Sequence, residues 1–221
     1  MCHHCPVAAI ITVDIWSDVV CPFCYLGFQQ FHTALDDFDH ANDVVVRHHA
    51  FELDPRAPLE FAGTLDELLA TKYSLPLERA TELNRRVANS AAELGLEWTL
   101  EHARPTNTFD AHRLVALASE QGRGGAMIER LFRAYFSDGL LVSDATTLAR
   151  LADEIGVEGA ASMIRGHNFE DAVRDDEIAA EQLGVTGVPA LIFNQRVHVS
   201  GAQGTAVMLS ALRDAWIQQA V

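Results

Sequence analysis

Two C-x-x-C pairs hold the reactive side chains of this sequence: Cys2 with Cys5, and Cys21 with Cys24. No other cysteine occurs in the 221 residues. A structural disulfide framework spreads its cysteines to close long loops, so pairs crowded at one end point to redox chemistry or metal binding. The second pair reads Cys21-Pro22-Phe23-Cys24 and lies between a predicted strand and a predicted helix. A helix start presents unpaired N–H groups and the positive end of the macrodipole, and both stabilise a thiolate. Thiols in such motifs titrate at roughly 3.5 to 7.5, below about 8.5 for a free thiol. Cys21 is therefore expected to be the exposed nucleophile. Cys24, one turn on and more buried, would resolve the mixed disulfide.

The first pair has only its composition to speak for it. Cys2-His3-His4-Cys5 places four ligand types in four residues. Adjacent ligands seldom wrap one ion tetrahedrally, so a zinc or copper site would need a further ligand from elsewhere. A disulfide relay between Cys2/Cys5 and Cys21/Cys24, or a tail without a role, are the other readings. No resident metal or cofactor is expected.

The elements that must position Cys21 and Cys24 follow from periodicity. Residues 9–16 are β-branched and apolar, as in a buried strand. Phe28, Phe31, Leu35 and Phe38 recur at helical spacing to about residue 40, and a second strand runs from Val44 towards Phe51. From 64 to 183 the pattern is helical, opening on a capping box at Thr64 and Glu67. The acidic run 170–181 reads as the solvated face of one of these helices. Residues 190–199 form a predicted hairpin about Asn194-Gln195, and a last helix follows Gly204. The expected organisation is an N-terminal tail (1–8), a sheet domain in two pieces (9–63 and 184–221), and a helical insertion (64–183).

Gly187-Val188-Pro189 directly precedes the hairpin, an unusual place for proline unless it closes a special turn. In a redox domain a cis Val188–Pro189 bond would lie beside the cysteines and offer backbone groups to an extended substrate.

Together these segments carry a resemblance. Val13-Asp14-Ile15-Trp16, Cys21-Pro22-Phe23-Cys24 and Gly187-Val188-Pro189 resemble the strand, active site and cis-proline loop of the thioredoxin superfamily, specifically its DsbA family with a helical insertion. Phe51-Glu52-Leu53-Asp54-Pro55, Asn107-Thr108 with Ala111-His112-Arg113, residues 131–136 and Ser200-Gly201-Ala202-Gln203 are similar to the FrnE-like branch, related to 2-hydroxychromene-2-carboxylate isomerases and kappa-class glutathione transferases. The resemblance spans about 10–218. It implies an α/β thioredoxin-like fold with a large α-helical insertion and thiol–disulfide oxidoreductase activity. Those isomerase and transferase relatives typically have serine where Cys21 stands and use it to hold glutathione. A thiol-dependent isomerase or transferase acting on small aromatic substrates is thus the competing expectation.

Further site residues are expected. Pro22, Phe23 and Val188 would face substrate with Pro189. His112 would line the cleft, although both His112 and Arg113 also read as surface helix residues. Asp14, inside its strand, is the candidate proton acceptor for Cys24 if burial raises its pKa; an Asp at the strand's rim is the other reading. It resembles the buried acid of thioredoxins, with one extra residue before the cysteine. His48 and His49 would face opposite sides of a strand. Nothing matches a catalytic Ser-His-Asp set or a phosphate loop. Sixteen basic residues against thirty-one acidic give a net charge of −15, which disfavours nucleic acid and anionic membranes as partners. Protein thiols or disulfides, with a low-molecular-weight thiol, are the expected partners. With no targeting segment or transmembrane stretch recognised, a cytoplasmic location is expected.

Overall fold

A computed structural model describes residues 10–219. Cys2 and Cys5 lie outside them. Its centre is a four-stranded sheet in the order β2-β1-β3-β4. Strand β1 (Ile11–Ser17) pairs in parallel with β2 (Val44–Ala50) and antiparallel with β3 (Ala190–Phe193), which pairs antiparallel with β4 (Val197–Ser200). The hairpin turns through Asn194 and Gln195, with φ of 49° and 58°. Asn194 also accepts the Thr12 N–H through Oδ1 at 2.9 Å, fixing the turn against β1.

Strand alternation separates two environments. Ile11, Val13 and Ile15 join Leu191, Phe193 and Val199 in one apolar layer. Over it lie α1 (Pro22–Asp36), through Phe31 and Ala34, and α9 (Thr205–Gln219), through Met208, Ala211 and Leu212. Trp16, Ala190 and Ile192 belong to the other face, where Ala180 of α8 (Glu170–Gln182) packs. The acidic run is a helix, as expected, and it packs both on the sheet and against the inserted helix Phe109–Glu120. The Trp16 indole N–H donates to the Asp176 carbonyl at 3.0 Å.

The remaining helices are α2 (Leu65–Tyr73), α3 (Leu77–Glu93), α4 (Phe109–Glu120), α5 (Gly124–Phe136), α6 (Ala145–Glu154) and α7 (Ala160–Arg165). The capping box forms: Thr64 Oγ1 accepts from Glu67 N–H, and Glu67 Oε2 accepts from Thr64 N–H. Leu114, Met127, Leu131, Phe132, Leu148 and Leu151 make their core, and Cys21, Cys24, Tyr25 and Phe28 belong to the same cluster. The dithiol therefore sits where the helical layer meets the sheet. Among the described residues no helix is long and apolar enough to cross a membrane.

One clasp fastens α8 to the sheet. His49 approaches Asp176 through Nδ1 at 2.6 Å and Asp14 through Nε2 at 2.9 Å, while its ring stacks on Trp16 at 4.4 Å. Burial alone would lower the His49 pKa, but the hydrogen bonds and charges of Asp176 and Asp14 outweigh it and raise the value. A raised folded-state pKa contributes stability that is fully present below the unfolded value of about 6.5 and lost as pH rises through the folded one. His49→Gln is expected to cost about 1–3 kcal/mol at pH 6 and clearly less at pH 9. Urea unfolding at the two pH values measures this, and an equal loss at both contradicts it.

Candidate active site

Cys21 is the N-cap residue of α1, and Pro22 occupies the first turn, where a missing N–H costs nothing. Both cysteines are free thiols. Cys21 is only 4% exposed against 1% for Cys24, so its sulfur is more covered than expected while the order of burial holds. Cys21 Sγ donates to the Val188 carbonyl at 3.8 Å and hydrogen-bonds with Cys24. Phe23 projects from the dipeptide, 51% exposed.

The Val188–Pro189 bond is cis, and Pro189 is buried against α1. Gly27 makes that approach possible: a Cβ built there would stand 2.9 Å from Pro189 Cγ and 3.9 Å from Ala202 Cα. Neither neighbour is the tip of a flexible side chain. Gly27→Ala is expected to cost about 1–3 kcal/mol through overpacking and to slow thiol exchange by displacing the loop. Thermal midpoint and exchange rate, measured on the same preparation, check both effects. Beside the loop, Thr186, Gly187, Val188 and Pro189 with Ser200 and Gly201 line an open groove of about 340 Å³.

Cys24 is buried deeper. Burial pushes its thiol well above the usual range. Its hydrogen bond with Cys21 pushes the same way, the Asp18 N–H pulls back, and the Asp18 charge raises it further. The Asp18 N–H donates to Cys24 Sγ at 3.4 Å. A cavity of about 10 Å³ touches Cys24, Ser17, Phe28, His48 and Pro189, at the lower limit for one water. Burial lowers the His48 pKa to about 4, so that imidazole is neutral at neutral pH.

Two expected site residues are not where their roles require. Asp14 alternates with Ile15 and so faces α8, on the opposite side of the sheet from Cys24, engaged with His49. The extra residue before Cys21 puts Ile15, not an acid, beside Cys24. His112 is 2% exposed and has no access to a cleft; its Nε2 lies 3.4 Å from Asp18 Oδ1. Arg113 is buried as well, holding the carbonyls of Met163, Gly166 and Asn168. Asp18 and Glu52 are not singled out by sequence reasoning. The signal for Asp18 is its place three residues before Cys21; for Glu52 it is a lone acid between Phe51 and Leu53.

A cysteine pair heading the first helix of this sheet, opposite a cis-proline loop, places the molecule in the thioredoxin-fold class. Comparison narrows the class. The family model of the DsbA-like thioredoxin domain matches residues 12–213, and the chain belongs to that family of thioredoxin-fold oxidoreductases. A probable DsbA oxidoreductase from Streptomyces coelicolor is 37% identical, with a TM-score of 0.88 over 93% of this chain and 90% of its own. A 2-hydroxychromene-2-carboxylate isomerase shares the fold at 17% identity and a TM-score of 0.72, covering 95% of this chain and 98% of its own. So does the cytosolic disulfide reductase DsbM from Pseudomonas aeruginosa, solved with GSH, at 18% identity and a TM-score of 0.66, covering 93% and 99%. The family match and the Streptomyces coelicolor structure bear out the resemblance to the DsbA family, and the other two neighbours share the fold.

Proposed function

We propose that this protein is a dithiol–disulfide oxidoreductase in which Cys21 attacks and Cys24 resolves. The observation that carries the reading is the stacking of groups at one point. Cys21 Sγ lies between the Val188 carbonyl and Cys24, with a resolving thiol already in contact. Cys21 attacks one sulfur of a substrate disulfide, whose partner sulfur leaves with the electron pair. Cys24 then loses its proton and attacks Cys21, and the substrate's second sulfur departs.

The groove of about 340 Å³ along Val188 and Pro189 has the size of a small-ligand site, and its backbone groups suit an extended chain. Substrates are therefore protein disulfides or disulfides of a small thiol, with Phe23 and Val188 giving apolar contact. The GSH in the DsbM structure supports the small-thiol half of this reading. DsbM is a cytosolic reductase, which supports the cytosol as the working compartment here. Residues 184–219 and the N-terminal strands and helix, with α8, act as the thioredoxin-like unit, and the inserted helices close over the dithiol.

Insulin disulfide reduction, compared between the protein and its Cys21→Ala/Cys24→Ala double variant, tests the proposal. Activity in the parent and none in the double variant is the expected result. Isomerisation of a hydroxychromene carboxylate that survives in the double variant would overturn it in favour of the isomerase reading.

A further inference from the structure

Three buried ionisable side chains beneath the dithiol each keep one polar atom without a partner: Asp18 Oδ1, His112 Nε2 and Glu52 Oε1. The side chains of Asp18 and His112 are 1% exposed and that of Glu52 is 0% exposed. Leaving such an atom unpaired costs about 1–3 kcal/mol, and buried orphans concentrate where a group must change its proton.

Asp18 and His112 face each other, and the His112 charge reaches Glu52. At the inner end, the Asp18 N–H touches Cys24 Sγ and the Asp18 charge weighs on that thiol. Asp18 Oδ2 is anchored by the Leu53 N–H at 2.8 Å, leaving Oδ1 facing His112 Nε2 at 3.4 Å. His112 in turn acts on Glu52, whose Oε2 accepts from Arg174 Nη1 at 2.7 Å. Arg174 lies on α8 and is half exposed, so the outer end reaches solvent.

We propose that Asp18, His112 and Glu52 form a proton relay that takes the Cys24 proton as Cys24 attacks the mixed disulfide and passes it outward to the Glu52 carboxylate, which the half-exposed Arg174 holds in place. The proposal rests on the oxidoreductase reading and supplies the acceptor that Asp14 does not. In the step, the Cys24 S–H proton moves to Asp18 and the sulfur's electron pair forms the Cys21–Cys24 bond. The bond from Cys21 to substrate breaks, and its electron pair leaves on the substrate sulfur. His112 receives the proton from Asp18, and Glu52 receives it from His112. Burial, partly offset by Arg174, raises the Glu52 pKa, which suits a group that must accept a proton. The titratable neighbours that share this ground are Cys21 and Cys24 on α1, Tyr135 on α5, and Arg174 and Glu177 on α8. Burial and then the Asp18 charge raise the Tyr135 pKa, keeping its hydroxyl protonated.

The test mixes reduced protein with oxidised glutathione, quenches with acid at intervals, and separates the Cys21–glutathione adduct from the internal disulfide by intact mass. In Asp18→Asn the adduct should form at the parent rate but decay at least about tenfold more slowly, within the range of general-base catalysis. Its decay rate should climb with pH where the parent rate is flat. His112→Gln should show a smaller slowing with the same change of profile, and isosteric Glu52→Gln gives the same readout if Asp18→Asn does not fold. Decay within about twofold of the parent in the variants, with the parent pH profile, overturns the relay. So does slowing in His48→Gln instead, the neutral base across the small cavity. A parent that forms no adduct and no internal disulfide overturns the oxidoreductase reading itself, and the relay with it.

Discussion

A Cys24→Ser variant is expected to stall with its substrate covalently attached to Cys21. Serine keeps the volume of the buried site but lacks a sulfur to displace the adduct, so turnover should fall by at least about 100-fold while adduct formation persists. Intact mass after mixing with a disulfide peptide reads this directly. The basis is geometric: Cys24 is the group already hydrogen-bonded to Cys21, and at 1% exposure it is screened from competing external thiols. Turnover near the parent rate in this variant would mean that a second substrate thiol resolves the adduct. Assigning Cys24 the resolving role would then be wrong.

Arg113→Ala is expected to cause the largest loss of stability outside the apolar core. The guanidinium is 3% exposed and uses its whole fork. Nε donates to the Asn168 carbonyl at 2.9 Å and Nη1 to Asp110 at 2.6 Å. Nη2 donates to the carbonyls of Met163 and Gly166 at 2.7 and 2.6 Å. Removing it strands one buried and two part-buried carbonyls and leaves the Asp110 carboxylate without its partner, at a cost of about 3–5 kcal/mol. In a chain of this size that lowers the thermal midpoint by about 10 °C or more. Arg113→Lys should recover only part of the loss, since an ammonium cannot serve a planar fork. Differential scanning calorimetry decides it; a shift of under about 2 °C for Arg113→Ala would show the fork to be dispensable. The bonds tie α4 to the stretch entering α8, so the variant should also loosen the clasp at His49.

The elements that hold the dithiol were legible because each carries a local signal. β1 shows as a β-branched run, α1 as aromatic residues at helical spacing, the hairpin as two short strands about Asn194, and the proline loop by its place before a strand. Polar residues of the interior carry no such signal. His112 and Arg113 open a helix in a way that fits the surface equally well, and only the segments returning from residues 163–168 and the Asp18 loop bury them. Asp14 is different, because its true direction was readable. With Ile11, Val13 and Ile15 turned towards α1, alternation alone sends Asp14 to the other face. The acidic helix illustrates a further limit: its exposed face was visible in composition, but that it rests on the sheet through Asp176 and Ala180 depends on tertiary packing.

The three tryptophans have separate surroundings, which gives the protein three distinct optical reporters. Trp16 stacks on His49 and is tethered to α8, so its emission registers the protonation of that imidazole and any departure of the helix. Trp98 stacks on Phe136 and Tyr25, the residue after Cys24, and so monitors the ground around the dithiol. Trp216 lies against His40 at 3.8 Å, remote from both in the α9 layer. Replacing them one at a time with phenylalanine separates a redox signal at Trp98 from a pH signal at Trp16 and from the α9-layer signal of Trp216, without an added dye.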